Sequence, residues 1–185
     1  MHCIFLCFCA ICGKSFAATQ QNPEICGMNY FELFEIPVSL QVDKNVLAKK
    51  YVELQKKFHP DFYTQETEYE QEAALEKSSQ INKALKVLRN PDETIKYVLQ
   101  LKGLLEEEEK YQLPPAFLME VMELNEELSA DSRQQVDELE TQIFLPVKQI
   151  IEHFSDATTT EELLKVKEYY YKKKYLQRIL DRIDD

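Results

Sequence analysis

Val46-Leu47-Ala48-Lys49-Lys50-Tyr51-Val52-Glu53-Leu54-Gln55-Lys56-Lys57-Phe58-His59-Pro60-Asp61 is the stretch from which the fold can be read. Leu47, Ala48, Tyr51, Val52 and Leu54 follow at roughly helical spacing, and Asp43 stands where an N-cap belongs, so a helix is predicted from there to about Phe58. Pro60 ends it, because the residue before a proline is pushed out of the α region and proline has no amide hydrogen to donate. His59 and Asp61 are then held on a short, stiff loop, which suits docking better than a reaction.

Outward from this loop the pattern stays helical. A brief helical turn is expected over 29–34, interrupted by Pro37. After the loop, a long helix is expected over 70–88, with Ala73, Leu75, Ile81, Ala84, Leu85 and Leu88 as its apolar positions. Asn90-Pro91-Asp92 is a stop and a restart, followed by a short helix over 93–102 that ends at Gly103, a natural C′ glycine. Glu106 to Glu109 make an acidic connector over 104–113. Pro114 and Pro115 sit where the first turn of a helix tolerates proline, and that helix is expected to end near Ser129. Asp131 would cap a helix over 132–154 that Pro146 should kink or break. A last helix is expected over 161–183, and Thr160 with Leu163 offers it no capping box.

The expected fold class is therefore all-α. Its divisions are a leader over 1–27, a helical-hairpin domain over 28–103, an acidic linker over 104–113 and three antiparallel helices over 114–185. Composition agrees: 30% of the 185 residues are charged, 44% are hydrophobic and only three are glycine. The net charge of −11 argues against nucleic acid as the main partner. It is uneven, with 11 Lys+Arg against 12 Asp+Glu over 28–103 and 10 against 20 from Leu104 onward.

All five cysteines lie in the first 26 residues, so no disulfide can staple the main fold. Cys9 and Cys12 look like half of a zinc knuckle, but Cys26 stands alone and no second close pair completes a tetrahedral set, so no metal is assigned. The apolar run from Cys3 lacks the basic start of a secretory signal and is too short to cross a membrane. The reading preferred for 1–27 is a disordered leader, or an upstream start with Met28 as the true beginning. Bacterial cytoplasm is the expected compartment. A mitochondrial matrix copy would need an Arg-rich transit peptide, and this leader has no arginine.

The brief helix, the basic helix, the His59-Pro60-Asp61 loop, the second long helix and the short fourth helix together resemble a J domain. Further on, Phe117-Leu118-Met119-Glu120-Val121-Met122-Glu123-Leu124 and Lys174-Tyr175-Leu176-Gln177-Arg178-Ile179 look like the first and last helices of the C-terminal domain of HscB-type co-chaperones, the J-proteins of iron–sulfur cluster biogenesis. The resemblance runs from Met28 to about Ile183. It implies that His59, Pro60, Asp61 and the basic face of Lys49, Lys50, Lys56 and Lys57 dock on a DnaK-family chaperone of the HscA type and stimulate its ATPase. It also implies that Leu118, Met119, Met122, Glu123, Glu126 and Tyr175 grip an iron–sulfur scaffold protein of the IscU type. No cofactor follows from it.

The residues leave alternatives open. Each lysine alone reads as solvated helix surface. Leu118, Met119 and Met122 could pack the core, or Phe117, Val121, Leu124 and Leu128 could do so and leave the other stripe free. Tyr169 to Tyr171 compete with Tyr175 for any aromatic role. A general J-protein serving unfolded clients is the rival function. A hydrolase built on His59 and Asp61 lacks a nucleophile, oxyanion glycines and a metal set, and no enzymatic activity is expected.

Overall fold

The computed structural model describes residues 28–126 and 132–184. Among these, every regular element is a helix: α1 (Tyr30–Leu33), α2 (Lys44–Phe58), a 3-10 turn (Pro60–Tyr63), α3 (Glu68–Arg89), α4 (Pro91–Leu101), α5 (Pro115–Glu126), α6 (Ser132–Phe144), α7 (Lys148–Glu152) and α8 (Thr160–Asp184). The chain is all-α, as its sequence predicts. No helix of the described residues is long and apolar enough to cross a membrane. The expectations for residues 1–27, for the helix end near Ser129 and for the Asp131 cap lie outside the described residues.

Local chemistry sets the helix ends. Asp43 accepts from the amides of Asn45 and Val46 and starts α2. Thr67 and Glu70 form a capping box that starts α3 two residues earlier than the apolar pattern suggests. Asn90 caps α4 with Pro91 at its first turn. Gly103, at φ 68°, ends α4: its amide donates to Gln100 and that of Leu104 donates to Leu99, the two bonds of a Schellman motif. Glu35 closes α1 the same way at φ 52°, a conformation that strains a residue with a Cβ. Its carboxylate is held at 2.7 Å by Lys50 of α2. Pro146 breaks the predicted 132–154 helix into α6 and α7. The last helix does have a capping box, one residue before the position considered. The Thr159 hydroxyl accepts from the Glu162 amide, and the Glu162 carboxylate accepts from the Thr159 amide.

Two apolar clusters hold the molecule. In the first, Phe31, Phe34 and Leu40 pack with Leu47 of α2, Ile81, Ala84 and Leu88 of α3, and Val98 and Leu99 of α4. Ala74 is buried on α3, whereas Leu75 is 60% exposed and does not join the core. This cluster continues without a break through Leu105, Val147 and Ile151 to Leu163, Val166, Tyr169 and Tyr170 of α8. The second cluster joins Phe117 and Val121 of α5, Val136 and Leu139 of α6, and Leu176 and Ile179 of α8. Helix α8 is thus a shared spine, its first half packed on the hairpin end and its second half on α5 and α6. Each fully buried side chain of this kind contributes about 1.5–3 kcal/mol.

The acidic stretch after Gly103 lies against this spine. Lys167, only 8% exposed, donates from Nζ to the Leu104 carbonyl at 2.6 Å and to the Glu109 carboxylate at 2.5 Å. Tyr111 stacks on Tyr171 at a centroid distance of 4.5 Å. Burial pushes the Tyr171 phenol up to about 12, and nearby Glu109 adds to the effect.

Candidate functional sites

The His59-Pro60-Asp61 loop projects from the end of α2 as its own small structure. His59 caps α2 in an extended conformation and Pro60 opens the 3-10 turn. The Asp61 amide donates to His59 Nδ1 at 3.3 Å, and the Phe62 amide donates to the His59 carbonyl at 3.1 Å. His59 Nδ1 is therefore engaged as an acceptor from backbone. Its 3.6 Å separation from the Asp61 carboxylate is too long for the hydrogen bond that a catalytic pair would need. Tyr63 ties the loop back to α2, its hydroxyl donating to the Lys57 carbonyl at 2.9 Å. Gln71 of α3 fixes the far side through the Glu66 carbonyl at 2.9 Å. Asp61 is 83% exposed at its side chain, and Phe62 is 68% exposed with its ring edge-on to His59. The Asp61 carboxylate thus stands open to solvent on a braced loop and is not enclosed in a cleft.

The four lysines predicted to flank this loop occupy one arc of α2, about 120° wide and opposite Leu47, Tyr51, Leu54 and Phe58. They are not equivalent. Lys49, Lys56 and Lys57 are exposed, and Lys57 lies 5.2 Å from the centre of the Phe58 ring. Lys50 is half-buried and pairs with Glu35 at 2.7 Å and Glu53 at 3.7 Å. The hydrogen bond from Lys50 holds the Glu35 carboxyl below its usual range, and the same bond raises Lys50. Lys50 serves the junction of α1 with α2 before it serves any partner.

At the other end, α5 separates the two stripes that its sequence left open. Phe117 and Val121 are buried and Leu124 is half-buried against the second core. Met119 and Met122 are 65% and 56% exposed, Glu123 is exposed and Leu118 is half-buried. The Glu126 side chain and Leu128 lie outside the described residues. Tyr175 of α8 is half-buried and meets Phe117 edge-on at 6.4 Å, with Lys172 also over that ring at 5.4 Å. Phe117 belongs to the buried face of α5, so this contact places Tyr175 at the seam between α5 and α8. The competing tyrosines are accounted for elsewhere: Tyr169 and Tyr170 are buried in the first core and Tyr171 is stacked on Tyr111.

Met119, Met122, half-buried Leu118 and exposed Glu123 leave an adaptable, partly apolar surface on this face of α5. The described residues contain no cluster of three His, Cys, Asp or Glu able to hold a metal ion. The long-range contacts were not visible beforehand, because Lys167 meets Glu109 58 residues away and nothing local marks either partner. Local sequence does mark the capping boxes, as Asn-x-x-Glu at 29–32 and Thr-x-x-Glu at 67–70 and 159–162.

Residues 113–184 match a family model described as the HSCB C-terminal oligomerisation domain. A co-chaperone protein HscB homolog of Vibrio cholerae is 30% identical over 167 residues, covering 85% of this chain and 98% of the relative. One from Vibrio atlanticus is 34% identical over 163 residues, covering 85% and 95%. The alignment with a Vibrio vulnificus homolog reaches 43% identity over 102 residues but spans only 60% of that relative's length. Among solved structures, the chaperone HscB from Vibrio cholerae has a TM-score of 0.61 at 30% identity, covering 85% of this chain and 96% of its own. The human co-chaperone protein HscB has a TM-score of 0.67 at 27% identity, covering 95% and 96%.

Proposed function

Since this chain belongs to the HscB family of co-chaperones, we propose that it is a two-ended adaptor that binds an IscU-type iron–sulfur scaffold and delivers it to an HscA-type chaperone of the DnaK family. The hairpin end, residues 28–103, presents His59, Pro60 and Asp61 with Lys49, Lys56 and Lys57 to the chaperone and stimulates its ATPase. The C-terminal end, residues 114–185, holds the scaffold on Leu118, Met119, Met122, Glu123, Glu126 and Tyr175. Neither end performs chemistry. Holding both partners on one molecule raises the concentration of each at the other, so capture of the scaffold is coupled to ATP hydrolysis.

The observation that carries this reading is the split between the two faces of α5. Val121 is fully buried while Met119 and Met122, on the opposite face, are more than half exposed. Two methionines left in water on the outer face of one packed helix support a surface that a partner can cover.

Titration calorimetry with the folded scaffold and with a denatured polypeptide tests the reading against a general J-protein serving unfolded clients. The scaffold is expected to bind with micromolar or tighter affinity, and the denatured chain at least about tenfold more weakly, a difference of about 1.4 kcal/mol. Equal binding of both would replace this reading with the general one.

A further inference from the structure

The outer flank of α3 carries a groove that the HPD loop and the α2 lysines do not account for. Two hollows of about 430 and 570 Å³ adjoin there and share Asn82 and Lys86. The groove runs from Leu75 to Pro91, about 24 Å along the helix. Leu75 is 60% exposed at one end, Ser79 and Asn82 line the middle, and Lys86 and Arg89 line the far half. No carboxylate is among its lining residues, and no described acid pairs with Lys86 or Arg89. In a chain with 33 acidic residues and a net charge of −11, a groove whose charged lining is cationic, among neutral polar and apolar groups, favours an acidic partner.

Its position relative to α2 selects the partner further. Asn82 forms the seam between the helices, its Oδ1 accepting from the Tyr51 hydroxyl and from Gln55 Nε2, each at 3.1 Å. Beside Gln55 on α2 come Val52, 50% exposed, and then Lys56 and Lys49. Gln55 and Val52 therefore lie between Lys49 and Lys56 of α2 and the α3 groove. The acidic second half of the chain repels an acidic partner, so these two faces together steer it to the hairpin end.

We infer that the chaperone docks over both faces, with an acidic, apolar-anchored segment of its surface lying in the α3 groove against Leu75, Asn82, Lys86 and Arg89. This rests on the proposed function, and it assigns the groove to affinity and orientation, leaving the switch of the ATPase to the HPD loop.

The test is the dose–response of chaperone ATPase stimulation by the full chain. Lys86→Glu with Arg89→Glu should raise the half-maximal concentration by roughly fivefold or more and leave the maximal stimulation unchanged. Both side chains are exposed, and Ser79→Glu, which adds a carboxylate to the groove at another exposed position, should shift the curve the same way. Asp61→Asn, run in parallel, should instead abolish the maximum. Half-maximal concentrations within twofold of the parent for both groove variants, with Asp61→Asn inactive, would overturn the groove and leave the chaperone reading standing. Full stimulation by Asp61→Asn would overturn the reading on which the groove depends.

Discussion

The Lys173 ammonium lies 2.8 Å from the Asp92 carboxylate and so joins α8 to the first turn of α4. Glu140 of α6 approaches the same ammonium at 3.4 Å, which makes Lys173 a meeting point of three helices. Burial lowers the Lys173 pKa, but the bond to Asp92 and the surrounding negative charge outweigh it and the net direction is up. Asp92→Asn should therefore cost about 0.5–1.5 kcal/mol of stability, more than a surface pair and less than a buried one. Glu152→Gln, which removes the exposed i,i+4 partner of Lys148 at 3.9 Å, should change stability by less than about 0.5 kcal/mol. Urea denaturation of both variants checks the difference.

The tyrosines of α8 predict the response to alkali. Burial raises the Tyr169, Tyr170 and Tyr111 phenols, and Tyr171 reaches about 12. A phenol raised above its unfolded value of about 10 keeps its proton longer in the folded chain. Its contribution to stability is complete below about pH 10 and is lost as pH climbs toward the folded value. Lys173, raised above 10.5, acts with the same sign. Urea midpoints should hold up to about pH 9.5 and fall between about pH 10 and 12, with a shallower fall in Tyr171→Phe. Midpoints unchanged up to pH 12 would contradict the burial of these rings.

The two faces of α5 should respond to alanine in opposite ways. Phe117→Ala should cost about 3–5 kcal/mol of stability, because Phe117 is 4% exposed between α5 and α8. Leu118→Ala with Met119→Ala, or Tyr175→Ala alone, should weaken scaffold binding by about 1–2 kcal/mol or more. The loss of stability should be smaller than for Phe117→Ala, since Met119 is 65% exposed and Tyr175 half-buried. Calorimetry gives the affinity and urea denaturation the stability. Affinity unchanged in both patch variants would place the scaffold elsewhere.

Much of this molecule was legible in its sequence because its signals are local. Asp43, Asn90, Pro91 and Gly103 each act within a few residues of their own position, and each ends or starts a helix where the sequence puts it. Periodicity was less decisive. Ala73 and Leu75 are apolar, yet Ala74 is the residue that packs, because it stands in helical register with Ser78, Ile81 and Leu88 and the other two do not. On α5 the sequence offered two apolar stripes, and only packing against α6 and α8 buries one of them. Lys50 differs from the other α2 lysines through Glu35, 15 residues earlier, which holds its ammonium. The ties from Lys167 and Lys173 join segments that no local pattern connects, and they exist only once α8 has become a common spine.

ATPase stimulation of the chaperone, measured with the scaffold present and absent, bears most directly on the two-ended adaptor. The parent chain should stimulate alone and stimulate further with scaffold. Asp61→Asn should do neither while binding scaffold with parental affinity, since Asp61 is exposed and its loop is remote in sequence from α5 and α8. Stimulation by Asp61→Asn equal to the parent, or a parent whose stimulation is indifferent to scaffold, would contradict the account.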